Sequence, residues 1–139
     1  MKDISYTDKI VIIDFGSQTT QLIARRIREL GVYCEMISCY KTKDLRNEFN
    51  LKGIILSGGP LSITKTSYLG ISKQILNFNK PILGICYGHQ LLAKEFGGIV
   101  KNYKKSEFGR CDIFSNKNSI LTKDFFNICI FNWTVNFFD

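Results

Sequence analysis

The sequence predicts an α/β protein whose core is a parallel β-sheet with helices on both faces. Short apolar runs rich in isoleucine and leucine recur along the chain, at Lys9–Phe15, Gly53–Leu56 and Ile82–Ile85. Continuous runs of this kind are typical of strands buried on both faces, as in parallel sheets. Segments with helical spacing separate the runs, and this alternation favours the same fold class.

The first strand and helix form a clear βα unit. The strand Lys9–Phe15 leads into a turn at Gly16-Ser17, and the segment Gln18–Leu30 has the spacing of an amphipathic helix. Gly31 is the expected helix stop. The apolar face predicted for this helix consists of Leu22, Ile23, Ile27 and Leu30.

The middle of the chain continues the alternation. Val32–Ile37 is predicted to be a strand and Thr42–Phe49 a short helix, and a weaker helix, Tyr68–Phe78, follows the strand Gly53–Leu56. Core packing is expected for two cysteines that have no ligand partners nearby, Cys34 and Cys39.

The last predicted elements complete one domain spanning residues 1–139. The helix Tyr87–Phe96 ends at Gly97-Gly98, and no internal repeat, linker or boundary interrupts the chain. Apolar alternation predicts three further strands, Ile99–Tyr103, Phe108–Phe114 and Phe131–Phe137.

Cys86 lies where the fourth strand meets the following helix, between Gly84 and Gly88. This G-x-C-x-G pattern matches a nucleophile elbow, in which glycines leave room for a strained turn that exposes the nucleophile. Unpaired N–H groups at the start of a helix favour negative charge, and the N–H of Tyr87 would point to a developing oxyanion. The competing interpretation is a small buried cysteine of the core.

The loop Ser57–Pro60 is predicted to face Cys86 across the sheet edge. It follows the strand Gly53–Leu56, and the carboxyl ends of parallel strands meet at one edge, where ligands bind. Glycines let backbone N–H groups approach a substrate closely. Taken alone, this S-G-G-P stretch indicates only a turn, but beside the elbow it predicts a second oxyanion donor.

Composition restricts the possible functions. The 139 residues are 45% hydrophobic, which is enough for one packed core, and no apolar stretch is long enough to be a membrane span or signal peptide. A cytoplasmic location is therefore expected. Five cysteines without a C-x-x-C pair and a single histidine predict neither a metal site nor disulfides. The formal charge of +7 is scattered, so no nucleic-acid partner is predicted.

These motifs together resemble the class I (triad) glutamine amidotransferase family, and within it the glutaminase domains of GMP synthases. The similarity covers most of the first 110 residues, and beyond about residue 115 the chain diverges. The segments that carry the resemblance are Ile10–Gln21 (IVIIDFGSQTTQ), Ala24–Glu35 (ARRIRELGVYCE), Gly53–Pro60 (GIILSGGP), Pro81–Ala93 (PILGICYGHQLLA) and Ser106–Gly109 (SEFG).

The resemblance implies a flavodoxin-like, three-layer fold, C-terminally incomplete, and hydrolysis of glutamine to glutamate and ammonia. It implies no cofactor, and its implied partner is a synthetase (ATP-pyrophosphatase) domain or subunit that uses the ammonia for purine biosynthesis. By the same similarity Cys86 would be the nucleophile and the N–H groups of Gly59 and Tyr87 would hold the oxyanion. Gly58 and Gln90 would help to bind glutamine.

The chain departs from the family in its proton-transfer groups. Related enzymes take a histidine and a glutamate from a downstream His-Pro-Glu motif, and no such motif occurs in these 139 residues. The single histidine, His89, lies three residues after Cys86 and is expected to have a packing or hydrogen-bonding role. Where relatives carry a Ser-His-Gly-Asp turn, this chain has Thr134–Asp139. The resulting hypothesis is a truncated or decayed domain with little activity.

Two other functions remain open. A non-catalytic module could keep the glutamine pocket and dock to a synthetase, and it would bind glutamine without turnover. A different thiol enzyme of the same architecture, similar to small thiol proteases and deglycases, ranks last because those relatives have a histidine where this chain has Tyr87. A dinucleotide-binding role has no support, since no G-x-G-x-x-G follows the first strand.

Overall fold

A parallel sheet flanked by helices forms the part of the chain that the structure, a computed structural model, describes. The described residues are 8–47, 50–60, 63, 70–71 and 73–101. The chain divides into two units, residues 1–101 and 102–139, and all described residues belong to the first. The elements in chain order are β1 (Lys9–Asp14), α1 (Thr19–Glu29), β2 (Cys34–Ser38), a 3-10 helix η1 (Cys39–Asn47), β3 (Leu51–Leu56), α2 (Lys73–Leu76), β4 (Ile82–Gly84) and α3 (Tyr87–Glu95).

The four strands are all parallel and lie in the order β2-β1-β3-β4. In register, Ile12 pairs with Met36 on one side and with Ile55 on the other, and Leu56 of β3 pairs with Gly84 of β4. The predicted parallel α/β sheet is therefore confirmed. Its central strands β1 and β3 carry the most apolar sequences because they have neighbours on both sides.

Side chains alternate between two cores, one on each face of the sheet. Ile12 and Ile55 pack with Ala24 of α1 and with Cys34 on one face. The larger core on the other face includes residues of β1, β3, α2 and α3: Val11, Ile13, Ile54, Leu56, Ile75, Tyr87 and Leu91. Helices on both faces were predicted, and so was the core position of Cys34, which is buried.

The face that α1 turns to the sheet differs from the predicted one. Leu22 and Leu30 are exposed, with 60% and 81% of their surface accessible, whereas Thr20 and Ala24 are buried. Ile23 and Ile27 pack against the core as predicted. Thr20, Ala24 and Ile27 recur at helical spacing, so they define the face of α1 that packs on the sheet.

Several element boundaries also differ from the predictions. The helix expected at Thr42–Phe49 is a 3-10 helix that begins earlier, at Cys39. Of the helix predicted at Tyr68–Phe78, the described part is α2, Lys73–Leu76. Residues 99–101 are not in a strand, and the other strands predicted after them lie outside the described residues.

An ion pair joins β1 to β2 near their amino-terminal ends. Lys9 Nζ donates to Glu35 Oε2 at 3.0 Å, and the Tyr33 hydroxyl donates to the other oxygen at 2.9 Å. The hydrogen bond from Lys9 lowers the pKa of Glu35, and the bond to Glu35 raises the pKa of Tyr33. No helix in the described part of the chain is long and apolar enough to cross a membrane.

Candidate active site

Cys86 occupies a strained turn between β4 and α3. Its backbone angles are φ 52° and ψ −112°, and it is the residue that caps the start of α3. Positive φ is uncommon for residues other than glycine and is often found at functional sites. The Cys86 side chain is exposed, in contrast to the competing interpretation of a buried core cysteine. The turn thus has the geometry predicted for a nucleophile elbow.

The glycines around Cys86 allow α3 to start directly against the sheet. A Cβ added to Gly88 would lie 2.3 Å from the carbonyl oxygen of Leu56, and one added to Gly84 would lie 2.6 Å from the backbone nitrogen of His89. Both distances are far below contact distance, so any side chain would push the helix away from β3 and β4. The G-x-C-x-G spacing therefore reflects close packing as well as turn geometry.

The loop after β3 lies beside the elbow, as predicted. A Cβ built on Gly58 would be 3.6 Å from the Cβ of Cys86 and 3.3 Å from the Ser17 hydroxyl oxygen. One built on Gly59 would come within 2.9 Å of the Phe15 carbonyl oxygen. The two glycines thus pass between the end of β1 and the thiol-bearing turn, where a side chain would fill the space.

Backbone hydrogen bonds fix the loop and the elbow to each other. The N–H of Gly88 donates to the Ser57 carbonyl at 3.1 Å, and the N–H of Ile85 donates to the Leu56 carbonyl at 2.9 Å. The N–H of Gln90 donates to the Cys86 carbonyl at 3.1 Å, which closes the first turn of α3. The thiol, the glycine loop and the helix start therefore form one connected unit.

The ring of Tyr87, the residue after Cys86, packs against the ring of Phe15. Their ring centroids are 5.2 Å apart with planes tilted by 55°, and both side chains are buried. This tilted arrangement is favourable for aromatic pairs. It anchors the residue whose N–H was predicted to be an oxyanion donor.

A buried polar network below the loop was not predicted. The Thr20 hydroxyl lies 2.8 Å from Asp14 Oδ1 and 3.0 Å from the Ser57 hydroxyl oxygen, which in turn accepts from the N–H of Phe15 at 3.3 Å. Ser57 and Thr20 are buried. The signal in the sequence was the helical spacing of Thr20 with Ala24, which places a hydroxyl on the buried face of α1.

The remaining predicted site residues lie on α3, and their roles stay predictions. Gln90 is half-buried, and His89, three residues after Cys86, is exposed. Cys39, outside the site, is half-buried, and burial raises the pKa of its thiol. Among the described residues, no group of histidine, cysteine, aspartate or glutamate side chains could hold a metal ion.

A separate surface depression of about 530 Å³ lies away from Cys86. It is formed where β4 begins and where α3 ends, whereas Cys86 lies between the end of β4 and the start of α3. The depression is therefore not part of the candidate active site. The residues that line it are Leu76, Asn79, Lys80, Pro81, Ile82, Leu92 and Phe96.

The structure thus defines an α/β protein with a parallel sheet, in which an exposed cysteine occupies a positive-φ turn between strand and helix, next to a glycine loop. The family model of the class-I glutamine amidotransferases matches residues 11–129. The chain belongs to this family.

Curated relatives and a solved structure agree with this assignment. The GMP synthase [glutamine-hydrolyzing] of Agrobacterium fabrum is 46% identical over 125 residues, which are 90% of this chain and 24% of that protein. The protein of the same name from Marinobacter nauticus is 50% identical over 105 residues, 76% of this chain and 20% of the relative. The chain thus spans about a quarter of the length of these relatives.

The fold also matches a crystal structure from Thermoplasma acidophilum, solved as a candidate GMP synthase subunit. The TM-score is 0.58 and the sequences are 32% identical, over 75% of this chain and 52% of the other. The protein is therefore a glutamine amidotransferase domain of the α/β class that resembles the glutaminase domain of GMP synthases.

Proposed function

We propose that this chain carries the nucleophile half of a glutaminase site that hydrolyses the side-chain amide of glutamine. The observation that supports the proposal most directly is the position of Cys86. Its exposed thiol stands on a strained turn, and its Cβ is 3.6 Å from the point where a Cβ on Gly58 would lie. The thiol is thus placed to attack a carbonyl held against the glycine loop. Family membership and similarity to relatives named as glutamine-hydrolysing support glutamine as the source of the amide.

In the proposed first step, the Cys86 sulfur bonds to the amide carbon, and the carbonyl oxygen becomes an oxyanion. The N–H groups of Gly59 and Tyr87 would donate to this oxygen, and Gly58 and Gln90 would contact the rest of the substrate. Loss of one such donor costs acyl-transfer enzymes about 10²–10³-fold in rate, so the geometry of these two peptides is critical. The C–N bond then breaks and leaves a thioester.

The second requirement is a proton for the leaving ammonia and a base for the water that hydrolyses the thioester. Glutamine amidotransferases of the triad type use a histidine and a glutamate that these 139 residues do not supply in a His-Pro-Glu motif. General acid–base help contributes about 10²–10⁴-fold. We therefore propose that the 139 residues on their own turn glutamine over slowly.

The proposed fate of the ammonia is transfer to a synthetase partner in purine biosynthesis. Relatives named GMP synthase are about four to five times as long as the aligned part of this chain. By that similarity the partner would be an ATP-pyrophosphatase synthetase domain or subunit. We also propose that residues 1–139 form one domain.

Ammonia release from glutamine tests the catalytic proposal. The purified chain is compared with Cys86→Ala and with Cys39→Ala, which removes a thiol outside the site, each with and without a GMP synthase synthetase domain. We expect release within about tenfold of the Cys86→Ala background without the partner, because proton transfer is missing. Fast turnover that depends on Cys86 in the chain alone would show that His89 or another group acts as the base.

A glutamine-binding or synthetase-docking module is the second candidate, favoured by the presence of a single histidine. It predicts that glutamine binds in calorimetry and slows alkylation of Cys86, while ammonia release equals that of Cys86→Ala even with the partner. Partner-dependent turnover would instead support the glutaminase. Absence of glutamine binding in a folded chain would count against both candidates.

A further inference from the structure

We propose that Ser57 and Thr20 are positioning residues that orient the Gly58–Gly59 peptide toward the Cys86 side of the site. The inference deepens the proposed glutaminase function and rests on it. It concerns two buried hydroxyl groups that lie beneath the glycine loop, and neither of them needs to touch the substrate.

Ser57 bonds to three backbone groups through its own backbone and side chain. Its N–H donates to the Ile13 carbonyl of β1 at 3.0 Å, and its carbonyl accepts from the N–H of Gly88 in α3 at 3.1 Å. Its hydroxyl oxygen accepts from the N–H of Phe15 at 3.3 Å. Ser57 is fully buried, so these bonds are sheltered from water.

The Ser57 hydroxyl also donates to the Gly58 carbonyl at 3.0 Å. That carbonyl belongs to the same planar peptide as the N–H of Gly59, the proposed oxyanion donor. In a trans peptide the C=O and N–H bonds point in opposite directions. A hydroxyl that holds the carbonyl on the buried side therefore directs the Gly59 N–H away from the protein interior, the direction from which a substrate would approach.

Thr20 connects this hydroxyl to a charged anchor. Its hydroxyl donates a single proton that is shared between Asp14 Oδ1 at 2.8 Å and the Ser57 oxygen at 3.0 Å, which leaves the Ser57 proton for the Gly58 carbonyl. The same carboxylate oxygen accepts from the N–H of Gly16 at 2.9 Å. Hydrogen bonds to a carboxylate are stronger than those between neutral groups, so Asp14 fixes the Thr20 hydroxyl and, through it, Ser57.

The arrangement predicts a specific kinetic signature. A reaction that develops charge on the carbonyl oxygen needs the oriented Gly59 peptide, whereas simple alkylation of Cys86 does not. Removing either hydroxyl should therefore slow the first kind of reaction and leave the second nearly unchanged. A purely structural role would change both rates together, or neither.

The test uses 6-diazo-5-oxo-L-norleucine, whose ketone takes the place of the glutamine amide carbonyl. The Cys86 sulfur first adds to the ketone carbon, so the ketone oxygen becomes an oxyanion, and the thiol proton passes to the diazo carbon. Dinitrogen then leaves as the sulfur migrates to that carbon and the ketone re-forms. Adduct formation is followed by mass spectrometry beside alkylation by iodoacetamide, which has no need of an oxyanion site. Ser57→Ala and Thr20→Val are compared with Thr20→Ser, which keeps a hydroxyl, and with Ser38→Ala, which removes an exposed strand-end hydroxyl.

We expect Ser57→Ala and Thr20→Val to slow diazoketone labelling about tenfold or more, by analogy with loss of an oxyanion donor. Iodoacetamide rates should change less than about twofold, and Thr20→Ser and Ser38→Ala should label at close to the original rate. Equal loss of both rates, or unchanged diazoketone labelling in folded Ser57→Ala, would overturn the inference alone. If the diazoketone labels Cys86 of the original chain no faster than it labels an unrelated thiol, the proposed function is overturned as well.

Discussion

Replacing Cys86 by glycine should stabilise the fold relative to replacing it by alanine, the reverse of the usual order. At φ 52° and ψ −112°, Cys86 has the mirror image of an extended conformation, which glycine adopts freely and residues with a Cβ do not. Strain at such positions costs about 1–3 kcal/mol. Alanine keeps the Cβ and therefore keeps the strain.

Glycine also has a cost, because its unfolded chain is more flexible, by about 0.5–1 kcal/mol relative to alanine. Subtracting this from the strain leaves Cys86→Gly more stable than Cys86→Ala by about 1 kcal/mol. With a urea dependence of about 2 kcal/mol per molar for a small domain, the unfolding midpoint should be about 0.5 M higher. Both variants lack the thiol, so its chemistry does not affect the comparison.

Urea unfolding of the two variants, followed by circular dichroism, measures this difference. Ala93→Gly is the matched control, because Ala93 is an interior residue of α3 where glycine has no conformational advantage. It should lower stability by about 1 kcal/mol relative to the original chain. If Cys86→Gly were less stable than Cys86→Ala by a similar amount, the elbow would not be strained and the reasoning would be wrong.

Three further predictions concern packing, thiol reactivity and pH. Gly88→Ala should destabilise the chain by about 3 kcal/mol in urea unfolding, because its Cβ would meet the Leu56 carbonyl oxygen at 2.3 Å. In brief iodoacetamide labelling with peptide mapping, exposed Cys86 should react at least tenfold faster than buried Cys34. The lowered pKa of Glu35 should add about 0.5 kcal/mol of stability above the ordinary glutamate pKa, and this stability is lost as the pH falls through the lowered pKa.

Each of these predictions has a matched control. Gly53→Ala adds a Cβ at an ordinary 3.6 Å from the nearest backbone oxygen and should be nearly neutral, so an equal loss there would contradict the packing argument. Labelling of Cys34 should approach that of Cys86 only after unfolding in urea. In Glu35→Gln the acid-dependent part of the stability should shrink, because residue 35 no longer binds a proton more readily in the unfolded state than in the folded state. An unchanged pH profile would contradict the assignment.

The sheet and the elbow could be predicted because each depends on a local pattern. Strands β1 and β3 are short apolar runs of the kind that parallel sheets bury, and the spacing of Gly84, Cys86 and Gly88 identifies a sharp turn. The inner face of α1 could not be predicted from its sequence in the same way. Leu22 is more hydrophobic than Thr20, yet Thr20 is the buried one, and its hydroxyl bonds there to Asp14 and Ser57.

The network of Asp14, Thr20 and Ser57 was beyond prediction for a different reason. Asp14 and Thr20 are 6 residues apart along the chain, and Thr20 and Ser57 are 37 apart. Only the parallel pairing of β1 with β3 brings Ser57 to the other two. Each residue alone has an ordinary local role, as a strand end, a helix start or a turn. Contacts that depend on sheet register carry no periodic signal in the sequence.

The proposed chemistry has two parts, attack by the thiol and release of ammonia, and the two depend on different groups. Attack by Cys86 depends on the elbow and the glycine loop, which rest on the parallel sheet and its hydrogen bonds. Release of ammonia also depends on a proton donor, and these 139 residues contain no His-Pro-Glu motif to supply one. Because triad members act together in turnover, a missing base hides the quality of the nucleophile in any steady-state assay. An electrophile that needs no leaving-group protonation removes this dependence, so thiol labelling reports on the elbow itself.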